Sequence, residues 1–117
     1  MLETHPKADL RVYAVWFNMM ANDSRAKWRE TLLSDRRVTH FWDEPKIVGT
    51  WFAPRTAAMA GRLSPDGKWG DGDVLWDAYL LYGTDARWDA EPTGLLSWGR
   101  TIMASKATLE STIDRLF

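Results

Sequence analysis

The stretch that decides the fold is Leu-Arg-Val-Tyr-Ala-Val-Trp-Phe, residues 10–17. It is β-branched, aromatic and almost continuously apolar, which is typical of a strand covered on both faces in the middle of a helix-backed sheet. Such a strand is too apolar for an exposed sheet edge. We therefore expect a missing segment, a partner chain or both to cover it.

Three more segments favour extended structure. Residues 38–42 are short and β-rich, and residues 74–82 form the second strong strand signal. After a turn at 83–85, residues 86–88 are expected to pair back as a short hairpin arm. The turn-rich residues 65–73 predict a loop.

Helices are predicted between these strands. An amphipathic helix is expected at 24–34 and a short one at 45–53, which Pro54 stops or kinks, with a further helical turn within 54–64. Residues 95–116 have apolar side chains at spacings of three, four and seven, the pattern of one long helix. The order β-α-β-α-β-β-α predicts an α/β fold with a small sheet and flanking helices, in one domain over 1–117 with an N-terminal extension at 1–9.

Composition limits the classes of function. The chain has 117 residues, 15 Lys and Arg against 16 Asp and Glu, and a net charge of -1, which argues against a nucleic-acid partner or a polybasic membrane protein. No apolar run approaches the ~20 residues of a membrane span, and residues 1–10 show no signal-peptide h-region. We expect a cytoplasmic protein as the chain is written, or an exported one if an N-terminal segment is missing.

The tetrad His40-Phe41-Trp42-Asp43 is the most suggestive chemical group. In a strand at 38–42, His40 and Trp42 share a face and Asp43 follows at the turn. A histidine near a carboxylate can act as a general base or bind a metal. The structural alternative is a hydrogen-bonded His40 in a half-buried strand, with Asp43 capping a helix that begins at Pro45.

A second carboxylate, Asp77, lies inside the apolar strand at 74–82. Alternation places it on one face with Leu75 and Tyr79, either facing solvent near the sheet end or buried and paired. The candidate binding residues are therefore His40, Trp42, Asp43, Asp77 and Tyr79. With two histidines, no cysteine and no calcium-loop pattern, the sequence predicts no metal site, no cofactor and no assignable catalytic residue.

Over residues 8–100 or so, the sequence resembles an uncharacterised group of bacterial thioredoxin-like proteins. The residues that carry the resemblance are Val12 to Trp16, Met19, Asp23 to Arg25, Arg37 to Asp43, Gly49, Trp76 to Gly83 and Trp88. The strings around His40 and Asp77 are its distinctive parts.

The resemblance implies a fold that begins with a strand, a Cys-x-x-Cys turn and a long helix ahead of Leu10. This chain starts at Met1, so the first βα unit and its cysteines would be absent, and Thr4 to Asp9 would remain from the lost helix. No proline directly precedes the strand at 74–82, where thioredoxins commonly keep a cis-proline. No catalytic residue carries over, and thiol–disulfide exchange has no sulfur nucleophile in this chain.

Taken together, these features predict a non-enzymatic binding or assembly module that acts through a Trp-rich apolar interface. We expect a homodimer formed through the region of the 10–17 strand, and a protein partner is a further expectation. Two alternatives remain open at this point. One is a small hydrolase using His40 with Asp43 or Asp77, and the other is a truncated form of a thiol–disulfide oxidoreductase-like protein.

Overall fold

A computed structural model describes residues 1–18, 31–63 and 74–117, with only the backbone for residues 56–63. It shows an α/β fold, as the sequence predicts. The predicted loop at 65–73 lies outside the described residues, as does the predicted helix at 24–34 except for a turn at 31–33. The elements are β1 (Val12–Trp16), β2 (Val38–Trp42), α1 (Ile47–Leu63), β3 (Ala78–Tyr82), β4 (Leu95–Arg100) and α2 (Ile102–Leu116).

The first two strands form a parallel pair, and both were predicted. Their register runs from Val12 opposite Val38 to Trp16 opposite Trp42. At one end the Val12 amide donates to the Arg37 carbonyl over 2.9 Å, and at the other the Asp43 amide donates to the Trp16 carbonyl over 2.7 Å. The side chains alternate between two faces of this sheet.

The other two strands form an antiparallel pair, from Ala78 opposite Arg100 to Tyr82 opposite Leu95. This corrects the predicted helix at 95–116, because residues 95–100 are β4 and the helix begins only at Ile102. Leu95 and Trp98 fit the helical spacing, but Gly99 is a poor helix former and pairing with β3 prevails. Thr101 then caps α2, with its hydroxyl accepting from the Ala104 amide over 3.4 Å.

Two smaller corrections concern the neighbourhood of β3. The strand predicted at 74–82 begins only at Ala78, because Asp77 has a φ of 49° and interrupts the extended backbone. The arm predicted at 86–88 does not pair with β3. Trp88 instead forms an isolated bridge with Pro92 inside the connection between β3 and β4.

Helix α1 continues through Pro54, so the proline does not stop it, and the further helical turn predicted within 54–64 belongs to the same helix. The proline removes one helical hydrogen bond, but the alanine-rich sequence that follows strongly favours a helix. Ala53 is buried and packs with Leu75 in the core, and Phe52, Ala78, Leu80 and Trp98 surround that pair. Gly49 lets α1 approach this region closely, since a Cβ there would lie 2.6 Å from the Leu75 carbonyl oxygen.

The N-terminal segment 1–9 consists of successive turns and contacts α2. Leu2 is buried, and Ile113 of α2 is 1% exposed. The imidazole Nε2 of His5 lies 2.6 Å from Asp114 Oδ1, and its ring lies 6.3 Å from that of Phe117. The segment is thus joined to the last turns of α2.

Among the residues that the structure describes, the four strands form two separate two-stranded sheets. Within those same residues, neither helix has the length and apolar character needed to cross a bilayer.

Candidate functional site

His40 lies on the inner face of the β1–β2 sheet with both ring nitrogens engaged. Trp16 Nε1 donates to His40 Nδ1 over 3.0 Å, and the two rings stack with centroids 6.1 Å apart. His40 Nε2 lies 3.2 Å from the Leu33 carbonyl oxygen. Because indole N–H only donates and a carbonyl only accepts, Nδ1 is the acceptor and Nε2 the donor in this arrangement. These contacts hold the imidazole in place on its strand.

Asp43 caps helix α1. Its Oδ1 accepts from the Ile47 amide over 3.0 Å and its Oδ2 accepts from the Val48 amide over 2.8 Å. The carboxylate thus satisfies two of the free amides of the first turn, where negative charge is also favoured by the helix dipole. The structure shows the capping role that the sequence offered as an alternative, with the helix beginning at Ile47 instead of Pro45.

Asp77 and Tyr79 make their contacts at the β3–β4 sheet. Asp77 is exposed, and its Oδ1 accepts from the Ile102 amide of α2 over 3.1 Å. Tyr79 Oη and Ser97 Oγ lie 2.7 Å apart across β3 and β4. Because Asp77 precedes β3, the face predicted for Leu75, Asp77 and Tyr79 together does not form.

The five predicted site residues therefore divide between the two sheets. His40 and Trp42 lie on β2, with Asp43 directly after it, whereas Asp77 and Tyr79 lie at the start of β3. The two aspartates contact the first turns of different helices. In residues 1–18, 31–63 and 74–117, no group of three or more histidine and carboxylate side chains is placed to hold a metal ion.

An aromatic cluster of Trp51, Phe52, Tyr82 and Trp88 joins α1 to the β3–β4 sheet. The rings of Phe52 and Trp88 meet edge-on at 6.0 Å, and those of Tyr82 and Trp88 at 4.6 Å. Trp88 is 58% exposed. Burial raises the pKa of Tyr82 to about 12.

The cluster is tied to the connection before β4 by Arg55. Its guanidinium carbon lies 4.2 Å from the Trp51 ring centroid, and its Nε donates to the Ala90 carbonyl over 2.9 Å. The sequence alone does not indicate this group, because Tyr82 and Trp88 come close to α1 only through long-range packing.

The outer face of the β1–β2 sheet is open. Tyr13 is 63% exposed and Phe41 is 49% exposed, with ring centroids 6.3 Å apart. Among the described residues, β1 pairs with β2 alone. Since a parallel partner engages alternate residues, the backbone groups of Tyr13 and Val15 point to the edge away from β2. An aromatic surface and an unpaired strand edge thus adjoin.

Arg37 connects the N-terminal segment to the start of β2. Its guanidinium donates to the carbonyl oxygens of Leu2, His5 and Ala8 over 2.8, 2.7 and 3.3 Å. It also donates to both carboxylate oxygens of Asp35, over 3.0 and 2.8 Å. Hydrogen bonds from Arg37 hold the pKa of Asp35 well below its usual range. The sequence alone does not indicate this role of Arg37, since its carbonyl partners carry no side-chain signal.

A scan of protein-family models, a search of curated proteins and a search of solved structures each give no match to this chain. The resemblance to thioredoxin-like proteins therefore stays a prediction, and the function is argued from the geometry.

Proposed function

We propose that the chain is a non-enzymatic binding module that assembles with a second copy of itself through the open edge of β1. The observation that best supports this proposal is that the open edge of β1 lies beside the exposed aromatic face of Tyr13 and Phe41. Unpaired amides and carbonyls beside apolar side chains are a template for strand addition.

A second copy is the occupant that best fits this edge. β1 reads Val-Tyr-Ala-Val-Trp and carries no charged side chain, so two β1 strands meet without repulsion between their side chains. Pairing about a twofold axis makes the interface self-complementary, with each copy supplying and receiving the same hydrogen bonds. The net charge of -1 per chain adds little long-range repulsion. Burying a few hundred Å² of apolar surface would contribute several kcal/mol, at about 25 cal/mol per Å².

The face proposed for assembly is aromatic without being rich in tryptophan. Trp16 and Trp42 share the inner face with His40, opposite Tyr13 and Phe41. The proposal thus replaces the Trp-rich interface expected from the sequence with a surface of Tyr13 and Phe41 beside the strand edge.

The hydrolase alternative receives less support from the same geometry. Both nitrogens of His40 have partners, and the carboxylates of Asp43 and Asp77 accept helix amides. A general base needs a lone pair directed at substrate, and the Nδ1 lone pair of His40 is directed at Trp16. The redox alternative would require cysteines outside this chain, which has none.

Sedimentation equilibrium tests the proposal. At tens of micromolar we expect a mass of twice the 13.5 kDa of one chain. The double variant Tyr13→Lys/Phe41→Lys puts like charges on the proposed interface, and we expect its dimer dissociation constant to rise at least ~10-fold. Circular dichroism should stay unchanged, since both residues are largely exposed.

The matched control is Met103→Lys/Leu116→Lys. These positions on α2 are 83% and 49% exposed, and the control adds the same charge away from β1. It should leave the dimer intact. A wild-type mass of one chain throughout the concentration range, or equal dissociation of the control, would contradict the proposal.

A further inference from the structure

A shallow groove of about 480 Å³ lies between the N-terminal segment and the first residues of the β1–β2 sheet. Its volume is within the range of small-ligand sites. It is lined by residues 6–11 together with Tyr13, Arg36, Arg37 and Thr39.

The groove is strongly cationic. Lys7, Arg11 and Arg36 line it, and in the part of the chain that the structure describes none of the three has a hydrogen bond or ion pair from its side chain. Asp9 is the carboxylate among the lining residues. Arg37 is a fourth cation, but its guanidinium is already engaged by Asp35. Three lining cations, of which Arg36 also interacts electrostatically with Asp35, lie around one lining carboxylate and attract an anion.

The wall of the groove also carries an aromatic ring. Tyr13 is 63% exposed and leans on Phe41, with 32° between the ring planes. A largely exposed ring provides a stacking surface for a flat heterocycle. Arginine side chains are suited to phosphate because their guanidinium forks can make two parallel hydrogen bonds.

The floor of the groove is held in shape by Arg37. Its bonds to Leu2, His5 and Ala8 fix the backbone on both sides of Pro6 and Lys7. The site is therefore preformed in its backbone, which lowers the ordering cost of binding.

From these features we propose that the groove binds a nucleoside monophosphate, with its phosphate among Lys7, Arg11 and Arg36 and its base against Tyr13. A single nucleotide suits the size of the groove and the net charge of -1, whereas an extended nucleic acid needs a longer basic track. The groove shares Tyr13 with the proposed assembly surface, whereas Lys7, Arg11 and Arg36 lie outside β1 and β2. Binding and the oligomeric state are therefore measured on the same variants.

Isothermal titration calorimetry with adenosine monophosphate tests the proposal. We expect saturable binding to the wild-type chain, with adenosine and inorganic phosphate each binding at least ~10-fold more weakly. The variant Arg11→Ser/Arg36→Ser should weaken adenosine monophosphate binding at least ~10-fold, because it removes charged hydrogen-bond donors. The matched control Arg87→Ser/Lys106→Ser removes two cations outside the groove and should bind as the wild type does.

The variant Tyr13→Ser separates the two halves of the site. It should weaken adenosine monophosphate binding about 10-fold and leave inorganic phosphate binding unchanged. Sedimentation of the same samples shows whether assembly has changed, so that a failure of the dimer is distinguished from a failure of the groove. Absence of saturable binding, wild-type affinity in Arg11→Ser/Arg36→Ser, or an equal loss in the control would overturn the proposal.

Discussion

The two sheets of this chain bury their residues very differently. All five residues of β3 are at least partly buried, and the sheet packs on α2 and on the core pair Ala53 and Leu75. In the β1–β2 sheet the residues of one face are half-buried, and Tyr13 and Phe41 on the other face are exposed. The β3–β4 sheet therefore contributes more to the free energy of unfolding, whereas the β1–β2 sheet offers an exposed surface for binding.

Gly99→Ala should have the largest effect on stability. A Cβ at Gly99 would lie 2.7 Å from Tyr79 Cε1 and still closer to the Ser105 side chain. The overpacking should lower the free energy of unfolding by roughly 1–3 kcal/mol, measured by urea denaturation. Ser105→Gly added to Gly99→Ala should restore part of the loss.

The matched change in the other sheet is Thr39→Val, on the exposed face of β2. The free energy of unfolding of this variant should stay within about 0.5 kcal/mol of the wild-type value. If Gly99→Ala and Thr39→Val lower the free energy of unfolding equally, the inferred difference in stability between the two sheets is wrong.

Asp43→Ala should have an intermediate effect. It removes acceptors for two amides at the start of α1 and should cost about 1 kcal/mol in thermal or urea unfolding. Asp43→Asn keeps one acceptor oxygen and turns an NH2 group toward the second amide, so its loss should lie between those of the wild type and Asp43→Ala. Asp77→Ala removes one amide contact from α2, which retains the Thr101 cap, so its loss should be smaller. A larger loss for Asp77→Ala would show that the second sheet depends on that carboxylate more than its contacts indicate.

Asp35→Asn should have the smallest effect, and the effect should depend on pH. The folded state lowers the pKa of Asp35 below its ordinary value of 3.8, so the carboxylate stabilises the fold above about pH 4. That contribution is lost as the pH falls through the folded-state pKa. The stability difference between wild type and Asp35→Asn should therefore be greatest near neutral pH and shrink in acid, and salt should reduce it. Unfolding curves from neutral to acid pH check this, and a difference that grows in acid would contradict it.

Much of the local structure was predictable from the sequence. The strands at 12–16, 38–42 and 78–82 are dense in β-branched and aromatic residues, and the cap at Asp43 followed from an acid placed just before a proline. The segment 95–100 misled the prediction because Leu95 and Trp98 have a helical spacing. Gly99 and Thr101 were the available signals for a break followed by a helix cap.

The surfaces were less predictable than the elements. The roles of Arg37 and Arg55 depend on backbone carbonyls that are distant along the chain, and every residue type presents such a carbonyl. Predicting which residues share the exposed face with Tyr13 requires the register of β1 on β2. The alternation of side chains alone does not set that register. Only the packed chain shows which apolar residues remain uncovered.

The position of Arg37 has a consequence for strand alignment. Its side chain donates to three backbone carbonyls among the first eight residues, while its own carbonyl accepts from the Val12 amide at the start of β1 and β2. A slip of β2 by one residue would move the guanidinium away from those carbonyls. It would also place His40 on the same face of the sheet as Tyr13. The N-terminal segment thus fixes the register of β1 and β2, although it contributes no strand to that sheet. Substitutions in the first eight residues should therefore affect the β1–β2 sheet.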